Sequence, residues 1–225
     1  MQLTFEGHAC VQIKGDNNLT ILIDPFIEGN PLCQKQVADF KPDLVLVTHG
    51  HSDHIGDALE ICRNSGATLV APYDLLQQLD TENIETIGPS IGGCFSFREA
   101  RIIMMPAVHG NSYGGKNAGV SCSYLVELDG KTIYHAGDTA LFGDMKDVIG
   151  RYKIDYAFLP IGDFYTMGPG DAVIAAHWLR ATTVIPMHFN TFPVIEQDVQ
   201  LFARNLEDKT ESRCLILEPG QTQEV

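Results

Sequence analysis

Basic residues are scarce in this chain: 15 Lys and Arg stand against 29 Asp and Glu, a formal charge of −14 over 225 residues. That balance repels a polyphosphate backbone, and no basic run or aromatic-and-basic platform offsets it locally, so nucleic acid is not expected as a partner. Long apolar runs are missing too, and none approaches the roughly 20 residues a membrane helix needs, which argues against a membrane partner. The cysteines, Cys10, Cys33, Cys62, Cys94, Cys122 and Cys214, contain no CxxC pair and sit mostly in apolar surroundings, so they read as reduced, buried thiols. Met1 to Phe5 lacks a basic n-region, an apolar stretch or a small-residue cleavage site. No signal peptide is expected there, and a cytoplasmic location is the default. Low-complexity linkers and short-period repeats are also absent, so one domain over residues 1–225 is the expected organisation.

What is present is ordinary for a globular protein, 44% hydrophobic and 20% charged residues. Short β-branched and apolar runs bounded by Gly, Pro or Asp predict strands at Cys10–Ile13, Leu19–Ile23, Leu44–Val47 and Thr68–Ala71, with a helix over Ile55–Asn64. The second half predicts strands Ile102–Met105, Ser123–Leu128 and Lys131–His135, then a helix near Leu141–Arg151, strand Tyr156–Leu159, helix Asp171–Leu179 and strand Thr183–Pro186. A helix at about Glu196–Leu206 and a strand Cys214–Leu217 close the chain. Hairpin-like strands opening each half, followed by alternating strands and helices, predict an α/β fold: two sheets face to face with helices outside, a four-layer αββα sandwich.

The chemistry concentrates in Thr48-His49-Gly50-His51-Ser52-Asp53-His54, directly after the buried-looking strand Leu44–Val47. His49 and His51, two apart on an extended segment, point to the same side and can serve one metal ion, while the following turn swings Asp53 and His54 toward a second. Further ligands must come from elsewhere. His109 follows strand Ile102–Met105 and precedes the glycine-rich loop Gly110–Gly119, and His188 follows strand Thr183–Pro186, so both sit at strand ends where function concentrates. Asp138 lies in His135-Ala136-Gly137-Asp138-Thr139, where Gly137 permits a sharp turn, and its carboxylate can bridge two cations. His135 reads as a core histidine able to hydrogen-bond behind Asp138, and His177 as part of a helix face.

Together these segments resemble the metallo-β-lactamase superfamily, through the HxHxDH stretch, the later single His, the Gly137-Asp138-Thr139 aspartate and the His of Pro186-Met187-His188. Gly7-His8-Ala9-Cys10, Ile23-Asp24-Pro25, Leu159-Pro160-Ile161-Gly162 with Thr166-Met167-Gly168-Pro169, and His188-Phe189-Asn190-Thr191-Phe192-Pro193 narrow the resemblance. They resemble largely uncharacterised bacterial and archaeal metal-dependent hydrolases, similar to the branch that holds ascorbate-6-phosphate lactonase and N-acyl-phosphatidylethanolamine phospholipase D. The resemblance implies that His49, His51 and His109 bind a first metal, Asp53, His54 and His188 a second, and that Asp138 bridges. It implies a pocket wall from Gly162 to Met167, with Thr166 in it, and from Asn190, an outer supporting role for Asp24, and a pocket-facing His8 that either orients substrate or donates a proton, or serves the turn structurally. Asp163-Phe164 departs from the pattern, since relatives usually carry a second small residue there, and no extended lid or appended domain is visible.

The expected activity is hydrolysis of a small ester, lactone or phosphoester by a metal-activated hydroxide at a dinuclear site, with Asp53 also accepting a hydrogen bond from that water. Imidazole and carboxylate without thiolate suit zinc first, and also manganese, iron or nickel. Two other readings compete: a redox di-iron protein, opposed by the lack of a flavin-binding or rubredoxin-like domain, and a non-enzymatic metal-binding scaffold, opposed by the complete ligand set. A small-molecule substrate is the expected partner, and a homo-oligomer is compatible with the composition.

Overall fold

The computed structural model describes residues 1–225, and its two large sheets each have seven strands. The first half of the chain supplies β1 (Gln2–Gly7), β2 (Cys10–Lys14), β3 (Thr20–Ile23), β4 (Leu44–Leu46), β5 (Thr68–Val70) and β6 (Thr86–Ile87), side by side in chain order. The second half supplies β7 (Cys94–Phe97) and β8 (Ala100–Pro106), a small hairpin of β9 (Ser112–Tyr113) and β10 (Lys116–Asn117), then β11 (Cys122–Leu128), β12 (Lys131–His135), β13 (Tyr156–Pro160), β14 (Thr183–Met187) and β15 (Arg213–Cys214). A last strand, β16 (Gln221–Glu224), returns to the first sheet and pairs antiparallel with β1. Each sheet begins with antiparallel neighbours and ends with parallel ones, the change falling after β3 in one and after β12 in the other.

Alternation along the strands divides the burial. Ile21, Ile23, Leu44, Leu46 and Val70 face the 45-residue core shared with the second sheet. Leu22, Val45 and Leu69 face the opposite way, into an 18-residue cluster completed by Ala58, Ile61 and Cys62. Those last three belong to α2 (Ala58–Ser65), which follows the single turn α1 (Ser52–Ile55) and precedes the short α3 (Tyr73–Leu76). Parallel strands buried on both faces need unbroken apolar runs, and Leu44-Val45-Leu46 is one. On the far side, α5 (Pro169–Leu179) and α6 (Val199–Lys209) add Ala172, Ala175, Ala176, Leu179, Phe202 and Leu206 to the larger core, with α4 (Asp144–Asp147) beside α5. Helices thus cover both outer faces, and the two mixed sheets form the αββα sandwich.

Several element boundaries differ from the sequence expectation. The helix expected over Ile55–Asn64 is broken at Gly56, whose φ of 39° and close approach to Pro25 O (2.4 Å from a Cβ placed there) leave no room for a side chain. The helix expected near Leu141–Arg151 shrinks to α4 and a 3-10 turn, Ile149–Arg151. The helix expected from Glu196 starts instead at Val199, because Asp198 accepts a hydrogen bond from the Leu201 amide at 2.9 Å and caps it. In place of the expected closing strand Cys214–Leu217 stands the short β15, paired parallel to β14, and the chain closes on β16.

Candidate metal centre

Every candidate ligand lies just beyond the C-terminal end of a strand. His8 follows β1, Asp24 follows β3, the His49–His54 segment follows β4, His109 follows β8, Asp138 follows β12, and His188 follows β14 directly. The pairing directions put these six strand ends at one edge of the sandwich, where side chains leave the core without burying unpaired backbone. Contacts across the two sheets lock that edge. The His188 amide donates to His8 O at 2.7 Å, the Cys122 amide to Thr48 O at 3.1 Å, and the Tyr124 hydroxyl to Val47 O at 2.9 Å. His8 and His188 both hold left-handed backbone, φ 58° and 54°, strained for histidine and concentrated where the two sheets meet.

Asp24 organises the first loop from beneath. Its Oδ1 accepts from the Thr48 amide at 2.8 Å, and its Oδ2 accepts from the Thr48 hydroxyl at 2.7 Å and from His54 Nδ1 at 2.8 Å. The tautomers follow. His54 carries its proton on Nδ1, so Nε2 offers a lone pair into the site. The Thr48 hydroxyl has given its only proton to Asp24, so at 3.0 Å it accepts from His49 Nδ1, and His49 Nε2 is likewise bare. One buried carboxylate therefore aims two imidazoles. His135 does the same for the later turn: its Nε2 donates to Ala9 O at 2.9 Å and its Nδ1 accepts from the Gly137 amide at 3.2 Å. Gly137 itself, at φ 58°, brings the chain so close to Thr48 that a Cβ would lie 2.9 Å from the threonine side chain.

The aimed atoms form two groups that meet at Asp138. His49, His51 and His109 offer ligand atoms all within 4.8 Å of one another. His51 Nδ1 lies 3.0 Å from His49 Nε2 and 3.3 Å from His109 Nε2. Tetrahedral ligands about 2.0–2.1 Å from zinc stand about 3.3–3.4 Å apart, so the spacing suits a cation held between these nitrogens. Asp53, His54 and His188, together with His8, form the second group, with the same 4.8 Å limit. Asp138 reaches both: Oδ1 lies 3.2 Å from His54 Nε2, and Oδ2 lies 3.3 Å from His188 Nε2 and 3.5 Å from His109 Nε2. His54 Nε2, Asp138 Oδ1 and both ring nitrogens of His188 are buried without any hydrogen-bond partner. Buried polar atoms are rarely left so, and several around one point are what a bound cation would satisfy.

The electrostatics agree. Burial would raise the Asp138 carboxyl, but His188 and His54 outweigh it and hold it well below the usual carboxylate range. Burial would lower His54, yet Asp138 and Asp24 together hold it well above the ordinary imidazole value. A field that retains a proton there also attracts a dication. Burial pushes His49 well down and lowers His109 and His135. His8 falls to about 4, mainly through burial, and stays neutral at physiological pH. Its Nε2 therefore donates to Asp53 Oδ2 at 3.1 Å, while its Nδ1 accepts from the Thr191 hydroxyl at 2.8 Å.

This arrangement has known counterparts. Residues 2–188 match the β-lactamase superfamily domain. The chain is 48% identical to a UPF0173 metal-dependent hydrolase of Methanosphaera stadtmanae over 98% of both chains, and 45% identical to one of Pelotomaculum thermopropionicum over 100% of both. The chain belongs to the UPF0173 family of metal-dependent hydrolases in the metallo-β-lactamase superfamily. Among solved structures, the metallo hydrolase Igni18 from Ignicoccus hospitalis resembles this family member with a TM-score of 0.91 and 37% identity, covering 100% of this chain and 98% of that one. The isothiocyanate hydrolase from Delia radicum gut bacteria shares the fold, TM-score 0.77, at 21% identity.

The cavity over the centre, about 480 Å³, has a polar floor of His51, Ser52, Asp53, His109 and Asp138 and an aromatic wall of Phe26, Tyr165 and Phe192. A second cavity of about 540 Å³ shares His51, Ser52 and Asp53 with it and is bounded by Ser112, Tyr113, Gly114 and Gly115, so the glycine-rich loop does border the site. Of the expected wall residues, Met167 is core and Thr166 and Gly162 are buried behind the surface. Asn190 borders a separate hollow with Glu196, Gln197 and Asp198. None of the four lines the cavity over the candidate ligands. Tyr165 falls inside the wall expected from Gly162 to Met167 and does line the cavity. Sequence reasoning gave no role to Thr48, Phe26, Thr191 and Phe192; of these Thr48 carried a signal, as a hydroxyl between an apolar strand and His49. His177 lies exposed beside a groove of about 670 Å³ near the ends of α5 and α6, which shares no residue with the site.

Proposed function

We propose that two divalent cations occupy this centre, zinc first and manganese, iron or nickel as other ions its ligands suit, and that the protein hydrolyses a small ester, lactone or phosphoester. His49, His51 and His109 would hold one cation, Asp53, His54 and His188 the other, and Asp138 would bridge them. The carrying observation is the set of unpartnered buried atoms around Asp138, on His54, His188 and Asp138 itself. When bound, the cations supply a water ionised near neutral pH and an electrophilic seat for the substrate's carbonyl or phosphoryl oxygen. The protein's own groups do the rest. Asp24 and Thr48 keep His54 and His49 in the ligating tautomer. Asp53, partly exposed at the mouth, can accept a hydrogen bond from the attacking water. His8, fully buried and with both nitrogens engaged, holds Asp53 in place and has no proton free for a leaving group. The cysteines are all unpaired, which supports a reducing, cytoplasmic compartment.

Elemental analysis of protein purified without added metal, followed by a panel of esters, lactones and phosphodiesters, tests this reading. Two metal equivalents per chain and turnover of at least one class are expected, with Asp138→Ala losing both metal and activity. A wild-type protein that takes up a single equivalent, or an Asp138→Ala variant with full metal and full activity, would overturn it.

A further inference from the structure

Lys116 is one residue beyond the cavity-lining Gly115, and no Lys or Arg is itself a lining residue of the candidate metal centre. Lys146, Arg180 and Lys209 gather instead at the remote groove near the ends of α5 and α6. Two dications offset by Asp53, Asp138 and a hydroxide leave about one positive charge, too little for a phosphomonoester dianion, and no lining Lys or Arg makes up the difference in a molecule of charge −14. What the mouth offers is aromatic surface. Phe26 and Phe192 each set an edge against the buried His8 ring, at 5.6 and 5.5 Å between centroids, so their position is fixed by the same histidine that holds Asp53.

Opposite them, Tyr165 is 53% exposed and packs edge-to-face with Phe164, itself 69% exposed, at 4.9 Å. Two neighbouring aromatics left this open beside a cavity are unusual in the absence of something to cover them. Their turn is also built, not slack. Asp163 sits at φ 71°, the Phe164 amide donates to Gly162 O at 2.9 Å, and the Met167 amide donates to Thr139 O at 2.9 Å, tying the turn to the residue after Asp138. The turn thereby sets Tyr165 in the cavity wall, with the exposed Phe164 ring packed against it.

Resting on the hydrolase reading above, we propose that the substrate presents an uncharged apolar chain or ring, which Phe26, Tyr165 and Phe192 hold beside the reacting bond. Neutral esters and lactones are then accepted, and phosphomonoesters are not.

The test has a kinetic and a binding arm, both on metal-loaded protein. Rates of opening of γ-lactones, from unsubstituted to hexyl-substituted, should give kcat/KM rising about three- to fourfold for each methylene that enters the cavity, the factor for burying one methylene. Calorimetric titration with butyrate, hexanoate and octanoate should show the same trend in affinity, with phenyl phosphate binding no better than inorganic phosphate. Tyr165→Ser and Phe192→Ser should flatten both trends; Tyr165 is exposed enough that its replacement need not disturb folding, which circular dichroism confirms. If no ester, lactone or phosphodiester is turned over but octanoate still binds more tightly than butyrate, the hydrolase reading falls and the apolar pocket stands. If lactones open at rates independent of side-chain length, or phenyl phosphate binds more tightly than octanoate, the apolar pocket is overturned whatever the reaction.

Discussion

Asp24 accepts three hydrogen bonds while wholly buried, and through them it decides which nitrogen of His54 and of His49 faces the centre. Asp24→Asn turns one acceptor oxygen into a donor amide, so either the Thr48 or the His54 contact must break. Removing a supporting partner of this kind weakens metal binding about 10- to 100-fold, and competition against a zinc chelator should show that loss with the fold retained. His8 allows a sharper separation of roles. Its neutral ring donates to Asp53, so His8→Leu should lower affinity for one of two metal equivalents, whereas His8→Gln, which keeps a donor of similar reach, should restore it. The pH–rate profile of His8→Gln should match that of the wild type; a lost limb would make His8 a proton donor after all. At this scale the candidate cluster was legible because imidazoles and carboxylates gathered at strand ends have few other uses, and the structure brings them together. Phe26 and Phe192 were not, because an aromatic residue in a loop reads the same whether it packs inward or lines a cavity.

Elements were legible where the apolar pattern was strong. Lys131–His135 emerged with the boundaries that β12 has, because it is paired on both sides in the sheet and Ile133, Tyr134 and His135 are buried. The failures share a cause in tertiary contacts that local pattern does not encode. β16 is a polar, mostly exposed edge strand, Gln221–Glu224, whose only reason to be a strand is the free edge of β1. The break between α1 and α2 is set by the approach of Gly56 to Pro25, residues far apart in sequence. That break has a function, since α1 carries Asp53 and His54 and its orientation depends on the turn at Gly56. Gly56→Ala should destabilise the protein by about 3 kcal/mol in urea unfolding, from a positive φ and a backbone clash together. It should also reduce metal affinity by displacing α1. A variant as stable as the parent would mean that the turn relaxes freely, and that α1 is not positioned by it.

Over the whole molecule, the buried ionisable groups at the centre make stability depend on pH alike in acid with and without metal, and differently above neutrality. His8, His49 and His135 have folded values below their unfolded ones, so the stability they represent is present above about pH 6.5 and is lost as pH falls. Asp24, Asp53 and Asp138 are lowered as well, and their contribution is present above about pH 4 and lost below it. Both metal-free and metal-loaded protein should therefore weaken in acid, starting where histidine titrates. His54 runs the other way. Its folded value is raised, so its contribution is complete below about pH 6.5 and disappears as pH rises through that raised value, leaving Asp24 and Asp138 facing each other across a neutral ring. A bound cation takes over the role of that proton, and binding to the folded state alone adds about 2.7 kcal/mol at a hundred times the dissociation constant. Chelator-treated protein should thus lose melting temperature between neutral and alkaline pH while zinc-loaded protein does not, and the gap between the two should widen with pH. Parallel calorimetric curves for the two forms from pH 6 to 9 would show that no cation replaces the His54 proton.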